Sequence, residues 1–331
     1  MSAFVYNYNI LSTKLVDPTW HNKCDPLYLK TQHRWGLIRN RLESQIRKNS
    51  IICLQELSED WISLLLPFFH QQGYTFIYDS VYLGVAIAFP NNEYELNTCS
   101  IVHVGEMLKK ECRTIKKAKC NLLVSFFKNI INFVNNLLFK PKTDVDPWLL
   151  AVEKRNRYIR INLSKHEDNT PFNIFNYHMP CAFTNPDLMI IQAAALMRCV
   201  EEDSKGVPYI LAGDFNSIPN SPVYNLITGT RLPFFPLSTT YDKVPTFELP
   251  MCVFSAYPAV IGREPDYTNY SHTKISPTPF QNTIDYIFSK GFNIVSVLPV
   301  RQDMPTSTFP NEKEPSDHLP IGAELEFPIQ R

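Results

Sequence analysis

Leu211-Ala212-Gly213-Asp214-Phe215-Asn216-Ser217-Ile218-Pro219 is an apolar run that ends abruptly in a carboxylate and a carboxamide two residues apart. Pro208 to Ala212 reads as a short buried strand, because it is apolar, compact and bounded by Gly213. Strand alternation sends Asp214 and Asn216 to one side just where the chain leaves the sheet. An oxygen-rich pair at a strand end suits a hard cation and a phosphate oxygen. Taken alone, Gly-Asp-x-Asn also makes an ordinary Asx turn, and both readings stand at this point.

The surrounding motifs narrow the choice. Tyr8-Asn9-Ile10-Leu11 opens the chain, Leu54-Gln55-Glu56 closes an apolar run from Ile51, and Asn176-Tyr177-His178 closes another from Phe172. Thr283-Ile284-Asp285-Tyr286 starts a third run, and Ser316-Asp317-His318-Leu319-Pro320 precedes the last expected strand. Polar clusters thus recur at strand edges. In this order they resemble the endonuclease/exonuclease/phosphatase superfamily of metal-dependent phosphodiesterases. With Asn220-Ser221, Thr268-Asn269-Tyr270 and Phe280-Gln281-Asn282 added, the pattern is similar to the nuclease domain of carbon catabolite repressor type deadenylases and their relatives nocturnin, angel and the 2'-phosphodiesterase. The resemblance runs from about residue 5 to 327 and is loose from about 100 to 152.

At 331 residues, with no Gly/Ser linker or repeat, the chain is expected to be a single catalytic domain over residues 1–331, with a divergent insertion at about 105–152. Hydrophobic content of 44% and aromatic content of 13% can bury a sizeable core. Lys+Arg and Asp+Glu both total 32, so no global field holds the chain on a polyanion. Any nucleic-acid affinity must come from a local patch. The eight cysteines contain no Cys-x-x-Cys and several lie in apolar runs, which fits a reducing, cytoplasmic setting. The first motif begins within nine residues of the start, so neither a cleaved leader nor leucine-rich docking repeats are expected. No apolar run reaches the length of a membrane span.

Strands are expected at 3–9, 51–55, 74–79, 84–89, 157–163, 172–177, 208–213, 284–289, 293–299 and 321–327. Trp35, Ile38, Leu42 and Ile46 share one helical face, and Glu59 to Gln72 is a second helix stopped by Gly73. Asn185-Pro186 starts a third that ends near Gly206, and Ser221-Pro222 starts a short fourth that reaches Gly229. Helices interspersed with two groups of strands suit an α+β sandwich with helices outside. The resemblance implies the specific four-layer α/β/β/α, DNase I-like form with two mostly antiparallel sheets.

Between 105 and 152 the plan changes. Lys109, Lys110, Arg113, Lys116, Lys117 and Lys119 form a basic run, and Phe126, Phe127, Ile130, Ile131, Phe133, Val134, Leu137 and Leu138 mark a broad apolar helix face within 121–139. The plain reading is a solvated loop and a helix packed on the sandwich. The sharper one gives the lysines to a nucleic-acid approach path and the helix to a protein partner or membrane surface.

Phosphodiester hydrolysis needs a cation for developing oxyanion charge, an oriented water and a stabilised leaving alkoxide. The resemblance implies Mg²⁺ or Mn²⁺, as one or two ions, with Glu56 as principal ligand and Asp317, Asn9, Asp214 and Asn216 as the other metal-site residues. Asp214 is the expected base, Asn216 binds the phosphoryl oxygen, and Asp285 orients His318 toward the phosphate or a second ion. Asn9 orients Glu56 or the phosphate. His178 donates to a phosphate oxygen, although by residue type alone it is a structural histidine. Asn156 falls where relatives have an Asp-Asn pair, but Arg155 replaces the aspartate, so a solvated basic loop is the equal alternative.

Phe280 lies five residues before Asp285, as does the aromatic that stacks on adenine in the deadenylases, with core packing as its alternative. Deadenylases continue past the motif histidine with Trp-Asp-Pro, where this chain has Met179-Pro180-Cys181-Ala182-Phe183. Pro180 or Phe183 is therefore expected on the opposite face of the base. The function expected is a Mg²⁺-dependent 3'-to-5' exoribonuclease that hydrolyses single-stranded RNA or poly(A) to nucleoside 5'-monophosphates. The rivals are the same chemistry on an RNA end, a 2'-5' oligoadenylate, abasic DNA, a lipid or an inositol phosphate, and a catalytically inactive binding module.

Overall fold

The structure is a computed structural model that describes residues 2–81, 83–110, 146–229, 253–274, 277–301, 303, 305 and 307–327. The expected 121–139 helix and the basic run beyond Lys110 lie outside them. One six-stranded sheet has the order β13 (Asn293–Val297), β14 (Ile321–Glu326), β1 (Ser2–Asn9), β2 (Ile51–Leu57), β4 (Gly84–Pro90), β3 (Tyr74–Tyr78). The other runs β5 (Tyr94–His103), β6 (Arg157–Lys165), β7 (Pro171–His178), β8 (Tyr209–Asp214), β12 (Asp285–Lys290), β9 (Phe254–Ser255). β1 pairs with β2 in parallel in the first sheet and β7 with β8 in the second; the remaining pairings of the two sheets are antiparallel. A small ribbon joins β10 (Asn269–Ser271) to β11 (Phe280–Asn282). All ten expected strands form.

Side-chain caps mark helix starts, those at Asn185 and Ser221 as expected. Ser58 accepts from Trp61 N at the start of α2 (Glu59–Gln71), Asn185 from Leu188 N at α4 (Pro186–Ser204), and Ser221 from Tyr224 N at α5 (Pro222–Ile227). α1 (Thr31–Ile46) and α2 cover the outer face of the first sheet, where Tyr6, Ile52, Leu54 and Ala86 meet Ile38, Leu42, Trp61 and Phe69. α3 (Pro147–Glu153), α4 and α5 cover the second, where Phe175, Tyr177, Leu211 and Phe288 meet Ala151, Leu196, Val200 and Ile227. α6 (Ala256–Ile261) closes one edge. The chain is therefore the four-layer α+β sandwich. Among the described residues, no helix is long and apolar enough to cross a membrane.

Alternation along the inner faces places the site. Ala3 and Val5 of β1, Ile51 and Cys53 of β2, Phe172 and Ile174 of β7, and Ile210 and Ala212 of β8 are packed in one buried layer between the sheets. The next inward positions on the same strands are Asn7 and Asn9, Gln55, Asn176 and His178, and Asp214. Each strand thus turns from apolar to polar as it approaches its C-terminal end. β12 runs the other way and begins with Asp285, directly opposite Asp214.

Buried amides floor this region. Gln55 Nε2 donates to Asn7 Oδ1 and Asn176 Oδ1 at 2.7 Å each, Asn7 Nδ2 reaches Gly213 O, and Asn176 Nδ2 bonds Leu54 O and Ala86 O. Gly213 is required where β7 and β8 close up: a Cβ there would lie 1.9 Å from Tyr177 O.

Candidate active site

Strict alternation would point Glu56 outward, opposite to Gln55. The chain avoids this with a bulge between Gln55 and Leu57 in the pairing with β4, and Glu56 takes φ +63. The carboxylate turns into the site, where Asn9 Nδ2 donates to Oε1 at 3.1 Å and Ser12 N to Oε2 at 2.9 Å. Asn216 also reaches the site by a turn rather than by alternation. β8 ends at Asp214, Asn216 adopts φ +47, and its N–H donates to Asp214 Oδ1 at 2.8 Å. The Asx turn and the candidate site pair are therefore the same structure. Left-handed φ at two non-glycine site residues is strain of the kind that functional sites hold in place.

Asp214 sits at the centre. Its Oδ2 accepts from Asn9 Nδ2 at 3.0 Å and lies 3.5 Å from His178 Nε2 and 3.7 Å from His318 Nε2. Asn216 Nδ2 contacts His178 Nε2 at 3.3 Å and donates to Met179 O. His318 Nδ1 is bonded to Asp285 Oδ2 at 2.8 Å, and Thr268 Oγ1 donates to that same oxygen at 2.6 Å. Ile284 N and Asp285 N both donate to Thr268 Oγ1, so the threonine is itself fixed. Ser316 Oγ bonds Asn9 O and receives His318 N, which ties the last loop to the end of β1.

The electrostatics follow from burial. Burial first, then the charge of Asp285, pushes Asp214 up to about 6, against the pull of His318 and His178. Burial opposes charge on His318, but Asp285, Asp317 and Asp214 outweigh it and hold the ring well above the usual histidine range. Oxygen and imidazole atoms of Glu56, His178 and Asp214, and of Asp214, Asp285 and His318, lie within 4.8 Å of one another. Asp285 Oδ1 is buried with no hydrogen-bond partner among the described residues. Buried carboxylates grouped with imidazoles form a donor set that fits a divalent cation.

The expected residues fall into two groups. Asn9, Glu56, His178, Asp214, Asn216, Asp285 and His318 converge, with Asp317 Oδ1 at 4.0 Å from His318 Nε2. Asn9 faces the carboxylates with its amide nitrogen, while its oxygen accepts Leu11 N. Asn156 stands one step back, donating to His178 O at 2.7 Å. Phe183, five residues after His178, and Phe280, five before Asp285, touch, with ring centroids 6.1 Å apart and planes at 41°. A base stacked between two rings needs them about 7 Å apart and parallel, so this pair must part to hold one. Pro180 is buried and Phe183 is 54% exposed, so only Phe183 of the two presents a free face. Sequence reasoning assigned no role to Thr268 or Ser316, though each lies within a quoted motif, to Ser12, which directly follows one, or to Arg34.

A family model described as the Endonuclease/Exonuclease/phosphatase family matches residues 8–318. The chain belongs to that family. Among curated family members, the carbon catabolite repressor protein 4 homolog 4 of Arabidopsis thaliana is 38% identical over 126 residues, 36% of this chain and 27% of the relative. The CCR4-Not complex 3'-5'-exoribonuclease subunit Ccr4 of Saccharomyces cerevisiae is 23% identical over 348 aligned positions, 98% of this chain and 38% of the relative. Both relatives are much longer than the part this chain spans. The crystal structure of ANGEL2, a 2',3'-cyclic phosphatase, in complex with adenosine-2',3'-vanadate superposes with a TM-score of 0.69 at 20% identity, covering 98% of this chain and 95% of that one. The human Nocturnin catalytic domain gives 0.63 at 19% identity, covering 99% and 94%. These likenesses establish a shared fold.

Proposed function

We propose that the protein is a divalent-metal-dependent phosphodiesterase, a deadenylase-like 3'-to-5' exoribonuclease acting on single-stranded RNA. The observation that carries the reading is the convergence of Glu56, Asp214 and the Asp285–His318 pair on one buried point in a chain of this family. Glu56 and Asp214, with His178 beside them, are the residues that would hold Mg²⁺ or Mn²⁺. When bound, the ion neutralises charge on the phosphoryl oxygens. Asp214, raised toward neutrality, takes the proton of the attacking water. The protonated His318 ring, aimed by Asp285, and Asn216 Nδ2 donate to phosphoryl oxygens. Asn9 keeps Glu56 and Asp214 apart and oriented through one amide. An RNA substrate is supported by the exoribonuclease that aligns with 98% of the chain and by Phe280, an aromatic five residues before Asp285.

The contact between Phe183 and Phe280 favours a second reading, a terminal phosphoester such as a 2',3'-cyclic end, the substrate class named for ANGEL2. End-labelled A20, U20 and an oligomer with a cyclic phosphate end, each with Mg²⁺ and with excess EDTA, separate the two. Stepwise shortening of A20 that stops in EDTA, and a melting temperature raised by Mg²⁺, are the expected results. Full activity in EDTA sinks the metal reading, and turnover of the cyclic end alone sinks the exonuclease.

Phe280→Ala should cost about 1–3 kcal/mol in kcat/KM on A20 and leave bis-p-nitrophenyl phosphate nearly untouched. An equal loss on both substrates would assign Phe280 to packing.

A further inference from the structure

Arg34 is fully buried on α1, a charged residue on a face that otherwise packs Ile38 and Leu42 against the first sheet. A guanidinium removed from water normally pairs with a carboxylate. Among the described residues, the hydrogen bonds of Arg34 go instead to backbone carbonyls of two separate loops. Nη2 donates to Ile10 O and Leu11 O after β1, and Nε donates to Pro315 O before β14. The guanidinium carbon lies 5.0 Å from the centre of the Trp61 ring, and Trp61 Nε1 also donates to Leu11 O. Leu11 is itself at φ +52, a conformation that needs to be held.

Both loops end in the site. Leu11 N fixes the Asn9 amide, Ser12 N binds Glu56, and Ser316, next to Pro315, carries both Asn9 O and His318 N. We propose that Arg34 is a positioning residue: one buried guanidinium clamps the loop that aims Asn9 and Glu56 to the loop that aims His318. The consequence for the reaction rests on the phosphodiesterase reading above; the clamp itself does not. Burial draws Arg34 down to about 10, with Asp317 and Glu56 among the charges opposing it, so the cation is present at neutral pH.

The sign of one measurement separates geometry from charge. Removing a cation near Glu56 and Asp317 should by electrostatics alone tighten Mg²⁺ binding. Loss of the clamp should weaken it. Arg34→Gln and Arg34→Lys are compared with wild type by calorimetric Mg²⁺ titration, steady-state kinetics and amide hydrogen exchange without metal. We expect Mg²⁺ affinity and kcat each to fall about 10–100-fold in both variants, with KM within about twofold. Exchange should rise together in residues 9–13 and 315–319 and stay unchanged in β7 and β8. Unchanged exchange in either loop, or tighter Mg²⁺ binding with wild-type kcat, overturns the proposal. Should Arg34→Gln not fold, Arg34→Lys keeps the charge and loses the planar fork, so charge alone predicts unchanged Mg²⁺ affinity where loss of the clamp predicts a weaker one. A wild type that neither binds Mg²⁺ nor cleaves phosphodiesters removes the proposed reaction, and the exchange result still decides the clamp.

Discussion

His318→Ala and Asp285→Asn should each lower kcat by on the order of 10²–10⁴, and the double variant should lose little more than either alone. The reason is that the two residues form one device. Asp285 Oδ2 is 2.8 Å from His318 Nδ1, both side chains are buried, and Thr268 pins the same oxygen. The bond at Nδ1 leaves Nε2 facing Asp214, 3.7 Å away. An asparagine at 285 keeps the shape but loses the charge that holds the ring protonated, so the ring should titrate lower. Histidine NMR checks this without substrate: His318 stays protonated through neutral pH in wild type and releases its proton earlier in Asp285→Asn. Kinetic losses that add fully in the double variant would mean that the residues act separately.

The sandwich was legible because its inner strands carry strong signals. The runs ending at Asn9, Gln55, His178 and Asp214 are apolar until the site begins, and a short continuous apolar run bounded by polar residues marks a buried strand. β5 left no such mark: residues 95–99 are all exposed on an edge strand, so no alternation arises. The three-residue ribbon of β10 and β11 is too short to have a period. Within the site, residue identities were readable and orientations were not. The bulge that turns Glu56 inward, the left-handed turn at Asn216 and the amide direction of Asn9 depend on pairing across strands that sequence spacing does not encode. Arg34 was hidden for a different reason. Beside Trp35, and with Arg39 and Arg41 on the same helix, an arginine reads as part of a solvated face, and its carbonyl partners lie 23 to 281 positions away.

Asp214→Asn should lower the rate of hydrolysis by about 10³–10⁴ and at the same time stabilise the metal-free protein. The opposite signs have one origin. Burial and the neighbouring Asp285 raise the folded carboxyl to about 6 from an ordinary value of 3.8. A carboxyl raised in this way favours the folded state below the ordinary value, and that contribution is lost as pH rises through about 6. Above that point the ionised group costs on the order of 3 kcal/mol when no metal ion is bound, even with the two histidines beside it. Asparagine removes the cost, so in EDTA the gain in melting temperature should be larger at pH 8 than at pH 5. Activity follows the reverse course, because a base must be ionised: kcat/KM of the wild type should fall about tenfold per pH unit below about 6. Raising Mg²⁺ should move that acid limb lower, since cation and proton compete for one carboxylate. The residual rate of Asp214→Asn should cross the same range without the limb. An unchanged acid limb in Asp214→Asn would assign the titrating base to another residue, and equal stability gains at pH 5 and pH 8 would show that the Asp214 charge is already neutralised in the folded protein.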